Sequence, residues 1–296
     1  MNPISKRRLF PSAREDAVSA ERNPPSAQTL SPTYRLAFRD HDFLLRDELR
    51  PVRLQLELLK PELAFQEAGI ESTIVVFGSS RIPDAETAAA CLAEAEARVR
   101  EKPEDVAAAT AMRIARSIAD KVPYYDQARR FGRLASEAFG GEGSGRCVIV
   151  TGGGPGLMEA ANRGAEDAGA PSVGLNIVLP HEQEPNRHIT PELSFQFHYF
   201  ALRKMHFLMR ARGLVVLPGG YGTMDELFET LTLIQTGKVA PMPILLFGKA
   251  FWGRIVDFDA MVEEGVIAPE DRALFRFVET AEEAVDTIRA FLAGEE

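Results

Sequence analysis

CVIVTGGGPGLMEAANRGA, residues 147 to 165, runs from a short apolar segment through a glycine turn into a helix that starts near Leu157. Five consecutive β-branched or small apolar residues, Cys147 to Thr151, are what a strand buried on both faces of a parallel sheet looks like. The same kind of run recurs as TIVVF (73–77), SVGLNIV (172–178), GLVVL (213–217), PILLF (243–247) and, more weakly, FRFVE (275–279). Helical segments separate these runs, so they predict an α/β fold: a doubly wound, Rossmann-like parallel sheet with helices on both faces. In such sheets ligands bind outside the carboxyl ends of the strands, which directs attention to the turns that follow them.

Outward from this body the chain changes character. Residues 1–32 are rich in Pro, Ser and charge with little apolar periodicity and predict a disordered tail. Residues 33–71 predict an N-terminal helical extension, leaving 72–296 as the Rossmann-like domain. In the extension Leu45, Leu49, Val52, Leu56 and Leu59 are spaced 4, 3, 4, 3 and make one apolar stripe, expected to cover the domain's own sheet in preference to an interface. Pro51 interrupts it and predicts a kink or a helix that restarts near Arg50. The Ala-rich stretch 84–139 predicts two or three helices, broken near Pro103 and Pro123 and closed by Gly140 and Gly141.

Composition bounds the partners. The 296 residues are 45% apolar and 26% charged, ordinary for a soluble globular chain with room for one large domain or two small ones. A formal charge of -9 argues against a nucleic-acid polymer as main partner, because phosphate backbones are gripped by clustered Lys and Arg. No apolar stretch of membrane-spanning length and no apolar signal core occurs, which predicts a cytoplasmic protein without a membrane partner. Cys147 reads as a small core residue, with Cys91 far from it in sequence. His181, His188, His198 and His206 lack the spacing and Cys partners of a zinc site, so no metal is expected.

Three turns carry the candidate chemistry. The first is VVFGSSR, with Gly78, Ser79, Ser80 and Arg81 directly after a strand; the second is the opening stretch, with Gly152, Gly153 and Gly154. The third is VVLPGGYGTMDELFE (215–229), where Gly219, Gly220, Gly222 and Thr223 lead into a helix whose first turn is expected to hold Asp225 and Glu226. Glycines let backbone approach a ligand, and the free amides and positive end of a helix attract an anion. Two such cradles and a hydroxyl-rich turn suit a nucleotide-sized ligand. A P-loop needs Lys and Ser or Thr after its glycines, and TMDE stands there instead. A dinucleotide fingerprint needs a third glycine, where Leu157 stands, and an acid in the next strand, where Asn176 stands. For Asp225, complementing the helix dipole is a sufficient role. Glu226 lies within one helical turn of Thr223, so a phosphate on the amides of Gly220 to Thr223 brings a sugar within its reach. A carboxylate there can orient ribose hydroxyls, activate water or offset charge on an oxocarbenium-like carbon.

PGGYGTMDE resembles the P-G-G-x-G-T-x-x-E signature of the LONELY GUY family, long mislabelled as lysine decarboxylases. The resemblance spans about residues 72 to 290: VFGSSR fits the family's first turn, TGGGPGLMEAANRGA its second, and LRKMHF (202–207) its Arg-Lys pair. It implies a nucleoside 5′-monophosphate phosphoribohydrolase that releases free base and ribose 5-phosphate from AMP-like nucleotides, cytokinin riboside monophosphates included. It also implies Arg203 and Glu226 as catalytic residues, the turn Gly219, Gly220, Gly222 and Thr223 as phosphate seat, and a homodimer. Gly78, Ser79, Gly152, Gly153, Gly154, Glu159 and Lys204 complete the expected substrate contacts. Glu159 after Met158, the segment NIVLPHEQEPN (176–186) and the helical extension resemble the longer bacterial branch, which favours AMP-like nucleotides in general over cytokinins in particular. No Lys stands in a recognisable pyridoxal phosphate context, and no cofactor is expected. A nucleotide-binding sensor or scaffold without turnover, and a transferase that passes ribose 5-phosphate to another acceptor, remain as alternative readings.

Overall fold

The computed structural model describes residues 10–141, 147–180 and 184–294; His181 and the first nine residues of the tail lie outside them. The chain forms two compact units, Met1–Glu57 and Leu58–Glu296. In the first, the segment predicted to lack structure contains a helix, α1 (Ala13–Ala20). Ser12 Oγ accepts from the Glu15 N–H at 3.2 Å and the Glu15 carboxylate accepts from the Ser12 N–H at 2.5 Å, a reciprocal capping box. No residue of α1 is buried, so no apolar periodicity announces it. Arg39 ties back to this helix through Ala17 O at 3.2 Å and an ion pair with Glu21. Then come α2 (His41–Leu44) and α3 (Arg50–Glu67), of which the residues from Leu58 onward belong to the second unit.

α3 starts at Arg50, as the position of Pro51 predicts: a proline in the first turn lacks only an N–H that has no intrahelical acceptor. The predicted stripe is not the inward one. Leu45, Val52, Leu56 and Leu59 are all exposed, and Leu63 extends their row; the buried residues of α3 are Pro61 and Phe65. Two apolar rows share the same 4, 3, 4 spacing, since Leu54, Leu58, Pro61 and Phe65 form the second, and periodicity fixes a period without fixing which row turns inward.

The second unit contains, in chain order, β1 (Ser72–Phe77), α4 (Ala85–Glu101), α5 (Val106–Ala119), α6 (Val122–Phe139), β2 (Cys147–Thr151), α7 (Leu157–Asp167), β3 (Ser172–Ile177), β4 (Ser194–Phe197), α8 (Phe200–Leu208), β5 (Ala211–Val216), α9 (Tyr221–Gln235), β6 (Ile244–Phe247), α10 (Lys249–Ile255), α11 (Phe258–Glu263), β7 (Arg276–Val278) and α12 (Ala281–Ala293). The strands form one parallel sheet in the order β4-β3-β2-β1-β5-β6-β7. Each predicted apolar run becomes a strand. The sequence gives no warning of β4, an edge strand of four residues in which Phe195 and Phe197 are buried and Gln196 is exposed.

The pleat divides β1 between two layers. Ile74 and Val76 join Ile149, Leu157, Phe131, Val285 and Ile288 in one core, beneath α6, α7 and α12. α6 and α7 cross closely, because a Cβ at Gly132 would overlap the Ala161 carbonyl and one at Gly164 the Arg129 carbonyl. On the other face Phe77 meets Phe207 of α8 edge-on, ring centroids 4.7 Å apart, and Phe65 meets Phe195 at 5.6 Å. Burial of a Phe of this kind stabilises by roughly 1.5 to 3 kcal/mol. The chain steps outward from β1 to β4 and then returns to the opposite side of β1 as β5. The carboxyl ends of β1 and β5 are therefore a topological switch point, the place where such sheets open a crevice.

Candidate active site

A cavity of about 800 Å³ opens at that switch point. The turn after β1 forms its centre and is stitched to both neighbours: Ser79 N–H donates to Pro218 O at 3.0 Å, and Leu157 N–H donates to Ser79 O at 3.1 Å. Gly78 and Ser79 line the cavity together with Ser80 and Arg81. Leu157 opens α7, so its first amide is already committed to the protein, and the second glycine turn supplies only Gly152 to the wall.

The third turn is the open one. α9 begins at Tyr221, and its first helical bond is Met224 N–H to Gly220 O at 2.9 Å, so the N–H groups of Tyr221, Gly222 and Thr223 have no intrahelical acceptor. A Cβ at Gly219 would overlap the Thr223 hydroxyl, whereas one at Gly220 or Gly222 would meet nothing within 4 Å. Gly219 thus packs the turn against Thr223, and Gly220 and Gly222 leave its rim clear. The first turn of α9 carries no acid; Asp225 and Glu226, expected there, fall in the second. For Asp225 that weakens the dipole role, and its side chain instead pairs with Lys204 at 3.0 Å on the cavity rim.

Glu226 is 8% exposed and faces the cavity. Burial pushes its carboxyl up from 4.5 to about 7; Arg203 and Lys204 pull it down, and Glu229 and Asp225 push it up. Arg203, on α8, is held by its backbone contacts: Nε donates to Leu175 O at 2.7 Å, Nη2 to Gly152 O at 3.4 Å, and the guanidinium lies over the Phe207 ring, 5.2 Å from its centroid. Burial lowers its pKa from the usual value, and Glu226 acts in the opposite sense. A cation and a near-neutral carboxyl therefore face the same space, each disfavoured in its charged form by burial.

Gly78, Ser79, Gly152, Gly219, Gly220, Gly222, Thr223, Arg203 and Glu226 come together at the cavity. Gly153, Gly154, Glu159 and Lys204 are not among its lining residues. Lys204 bridges Asp225 and Glu229 at 3.0 Å each. Glu159 lies 3.8 Å from His188 Nε2, on a side of α7 away from Met158, the residue that does reach the cavity. Phe200, Met158, Met224 and Ile255 supply an apolar wall that sequence reasoning missed, since single apolar residues from four separate elements carry no shared pattern. Arg81 also went unassigned although it stands in a turn already singled out; its N–H caps Ser79 Oγ at 3.1 Å and its side chain is exposed at the mouth.

Among the described residues no group of three or more His, Cys, Asp or Glu is placed to hold a metal ion, and no helix is long and apolar enough to cross a membrane.

Residues 158–288 match the protein family described as "Possible lysine decarboxylase". The chain is 30% identical over 186 residues to the cytokinin riboside 5′-monophosphate phosphoribohydrolase LOG1 of Arabidopsis thaliana, covering 61% of this chain and 82% of that one. It is 30% identical to LOG3 of the same plant over 49% of this chain and 67% of the relative. The LOG protein of Oryza sativa subsp. japonica is 31% identical over 56% of this chain and 66% of its own length.

Proposed function

The chain belongs to the LONELY GUY family, and on that premise we propose that it is a nucleoside 5′-monophosphate phosphoribohydrolase acting on AMP-like nucleotides, with cytokinin riboside monophosphates among its candidate substrates. One observation carries the reading: a buried carboxyl held near neutrality, Glu226, shares a cavity with a buried guanidinium, Arg203, and with the open amide end of α9.

The 5′-phosphate sits on the N–H groups of Tyr221, Gly222 and Thr223, where the positive end of α9 stabilises an anion. Anchoring there fixes the ribose relative to Glu226, one helical turn further on, and substitutes orientation for chance encounter. The apolar wall of Phe200, Met158, Met224 and Ile255 receives the base. Ionised Glu226 engages the ribose hydroxyls or takes a proton from the attacking water, and offsets positive charge growing on the anomeric carbon. Water oxygen bonds to that carbon as the C–N bond breaks, the electron pair leaves with the base, and the base takes up a proton. Arg203 holds phosphate oxygen or polarises the departing base. Family relatives named as phosphoribohydrolases support the reaction class and suggest the substrate class, and the cavity's open helix end and apolar wall are compatible with a nucleotide.

Glu226→Gln tests this reading. It keeps the shape of the side chain and the phosphate seat, so AMP binding by calorimetry is expected to persist while adenine release falls by about a hundredfold or more, the scale of losing one preorganised electrostatic group. Parent-rate release by that variant would rule the mechanism out. The dimer implied by the family belongs to the same proposal, and a sedimentation mass of one chain would refute it.

A further inference from the structure

Behind the cavity, the second glycine turn is strapped to the segment after β3. Asn186, buried at 9% exposure, donates from its backbone N–H to Gly153 O at 2.9 Å. Its Nδ2 reaches Gly153 O at 3.2 Å, Gly154 O at 3.1 Å and Asn162 Oδ1 at 3.0 Å. Its Oδ1 accepts the His188 N–H at 3.2 Å. The strap is anchored in turn: Ser172 Oγ donates to His188 O at 3.2 Å, His188 Nδ1 pairs with Glu166 Oε2 at 2.5 Å, and Asn162 joins Thr151 Oγ1 at 2.7 Å to Ser172 Oγ at 2.9 Å. Thr151 Oγ1 also accepts the Gly153 N–H at 3.0 Å.

The glycine turn thus lends its carbonyls of residues 153 and 154 to Asn186, and a planar peptide then directs the Gly154 N–H the opposite way. Gly153 holds φ +75, and a Cβ there would overlap the Asn176 amide, so the turn has little freedom to rearrange without loss of these contacts. Its forward residue, Gly152, is what the active site uses. Gly152 walls the cavity, its carbonyl accepts from Arg203 Nη2, and a Cβ on it would lie 2.7 Å from that nitrogen.

We propose that Asn186 is a positioning residue for the reaction: it fixes the second glycine turn from behind so that Gly152 holds the Arg203 guanidinium in the cavity opposite Glu226. Asn186 itself is not among the residues that line the cavity. The proposal rests on the phosphoribohydrolase reading, and its role differs from a purely structural one because displacement of Arg203 changes the charge environment of Glu226.

The test is steady-state release of base from AMP across pH 5.5 to 9 by the parent chain, Asn186→Asp and Asn186→Ala, with far-UV circular dichroism and melting on each. Asn186→Asp preserves the shape, the acceptor for His188 and the backbone N–H to Gly153 O, but loses both side-chain contacts to the turn. The expected result is kcat lowered by about tenfold or more with KM changed less than threefold, the pattern of a lost transition-state interaction. The apparent pKa of the activity limb assigned to Glu226 is expected to move upward, because a displaced Arg203 no longer lowers it. Ser172→Ala, which loosens the strap at His188 without touching the turn, is expected to show the same pH shift with a smaller fall in kcat and keeps the test open if the Asn186 variants fold poorly. An active parent with parent kcat and pH profile in every folded variant overturns the role of Asn186 alone. A parent that releases no base from any nucleotide overturns the function and this role with it.

Discussion

A buried carboxyl held near neutrality is an unfavourable thing to fold, and replacing Glu226 by Gln should therefore make the protein more stable while making it inactive. Its pKa rises from 4.5 to about 7 on folding. Between those values the folded chain binds more protons at this site than the unfolded chain, so stability falls as pH rises through the interval. Below about pH 4.5 both states are protonated and the penalty is absent; above about pH 7 it is complete. The rise from 4.5 to about 7 sets a ceiling of about 3.5 kcal/mol. The value of about 7 already contains the attraction to Arg203; Gln replaces the protonated acid imperfectly, because its buried amide needs partners of its own, so the net gain at pH 8 is expected at about 1 to 3 kcal/mol. For a chain of this size that raises Tm by roughly 2 to 5 °C. The assay is thermal or urea unfolding of parent and variant at pH 4.5 and pH 8. A gap at pH 8 that closes at pH 4.5 is predicted; equal stability at both, or a variant less stable at pH 8, would refute the claim that burial dominates the environment of Glu226.

Arg203→Ala removes the main group that lowers the Glu226 pKa, so base release should fall by on the order of a hundredfold or more and the limb of the pH profile assigned to Glu226 should move to higher pH; an unmoved limb in an active variant contradicts the coupling. In the parent chain kcat/KM for AMP is expected to rise from pH 6 to pH 8 with an apparent pKa about 7, because the ionised carboxylate acts. Gly219→Ala places a methyl group against the Thr223 hydroxyl and should raise KM for AMP about tenfold or more while leaving melting within a few degrees, as calorimetric binding will show. Gly153→Ala, at φ +75 and against Asn176, should destabilise by about 1 to 3 kcal/mol in urea unfolding.

Much of this is legible in the sequence. Buried parallel strands write themselves as continuous apolar runs, and the three glycine turns announce themselves because only glycine permits close backbone approach. The edge strand β4 was not legible, since four residues with one buried face make too short an alternation. The phase of α3 was not either: two rows of leucines obey the same spacing, and the row through Val52, Leu56 and Leu59 faces out. Within the site, Arg203 and Glu226 come from helices on different strand crossovers, and the family motif brought them together where spacing alone did not. Glu159 was placed by its nearness to the second turn in sequence, but successive residues on a helix point about 100° apart, so Met158 enters the cavity while Glu159 turns to His188. The role of Asn186 was invisible because a side chain that bonds backbone carbonyls some 30 residues away leaves no local pattern.

The most direct measurement incubates the purified chain with purine and pyrimidine 5′-monophosphates, their nucleosides and cytokinin riboside 5′-monophosphates, and quantifies free base and ribose 5-phosphate by chromatography. The predicted result is equimolar base and ribose 5-phosphate from AMP-like monophosphates and no base from the matching nucleosides, because the open end of α9 must hold a phosphate before Glu226 can reach the sugar. Base released equally from nucleosides, or from no compound at all, would contradict it.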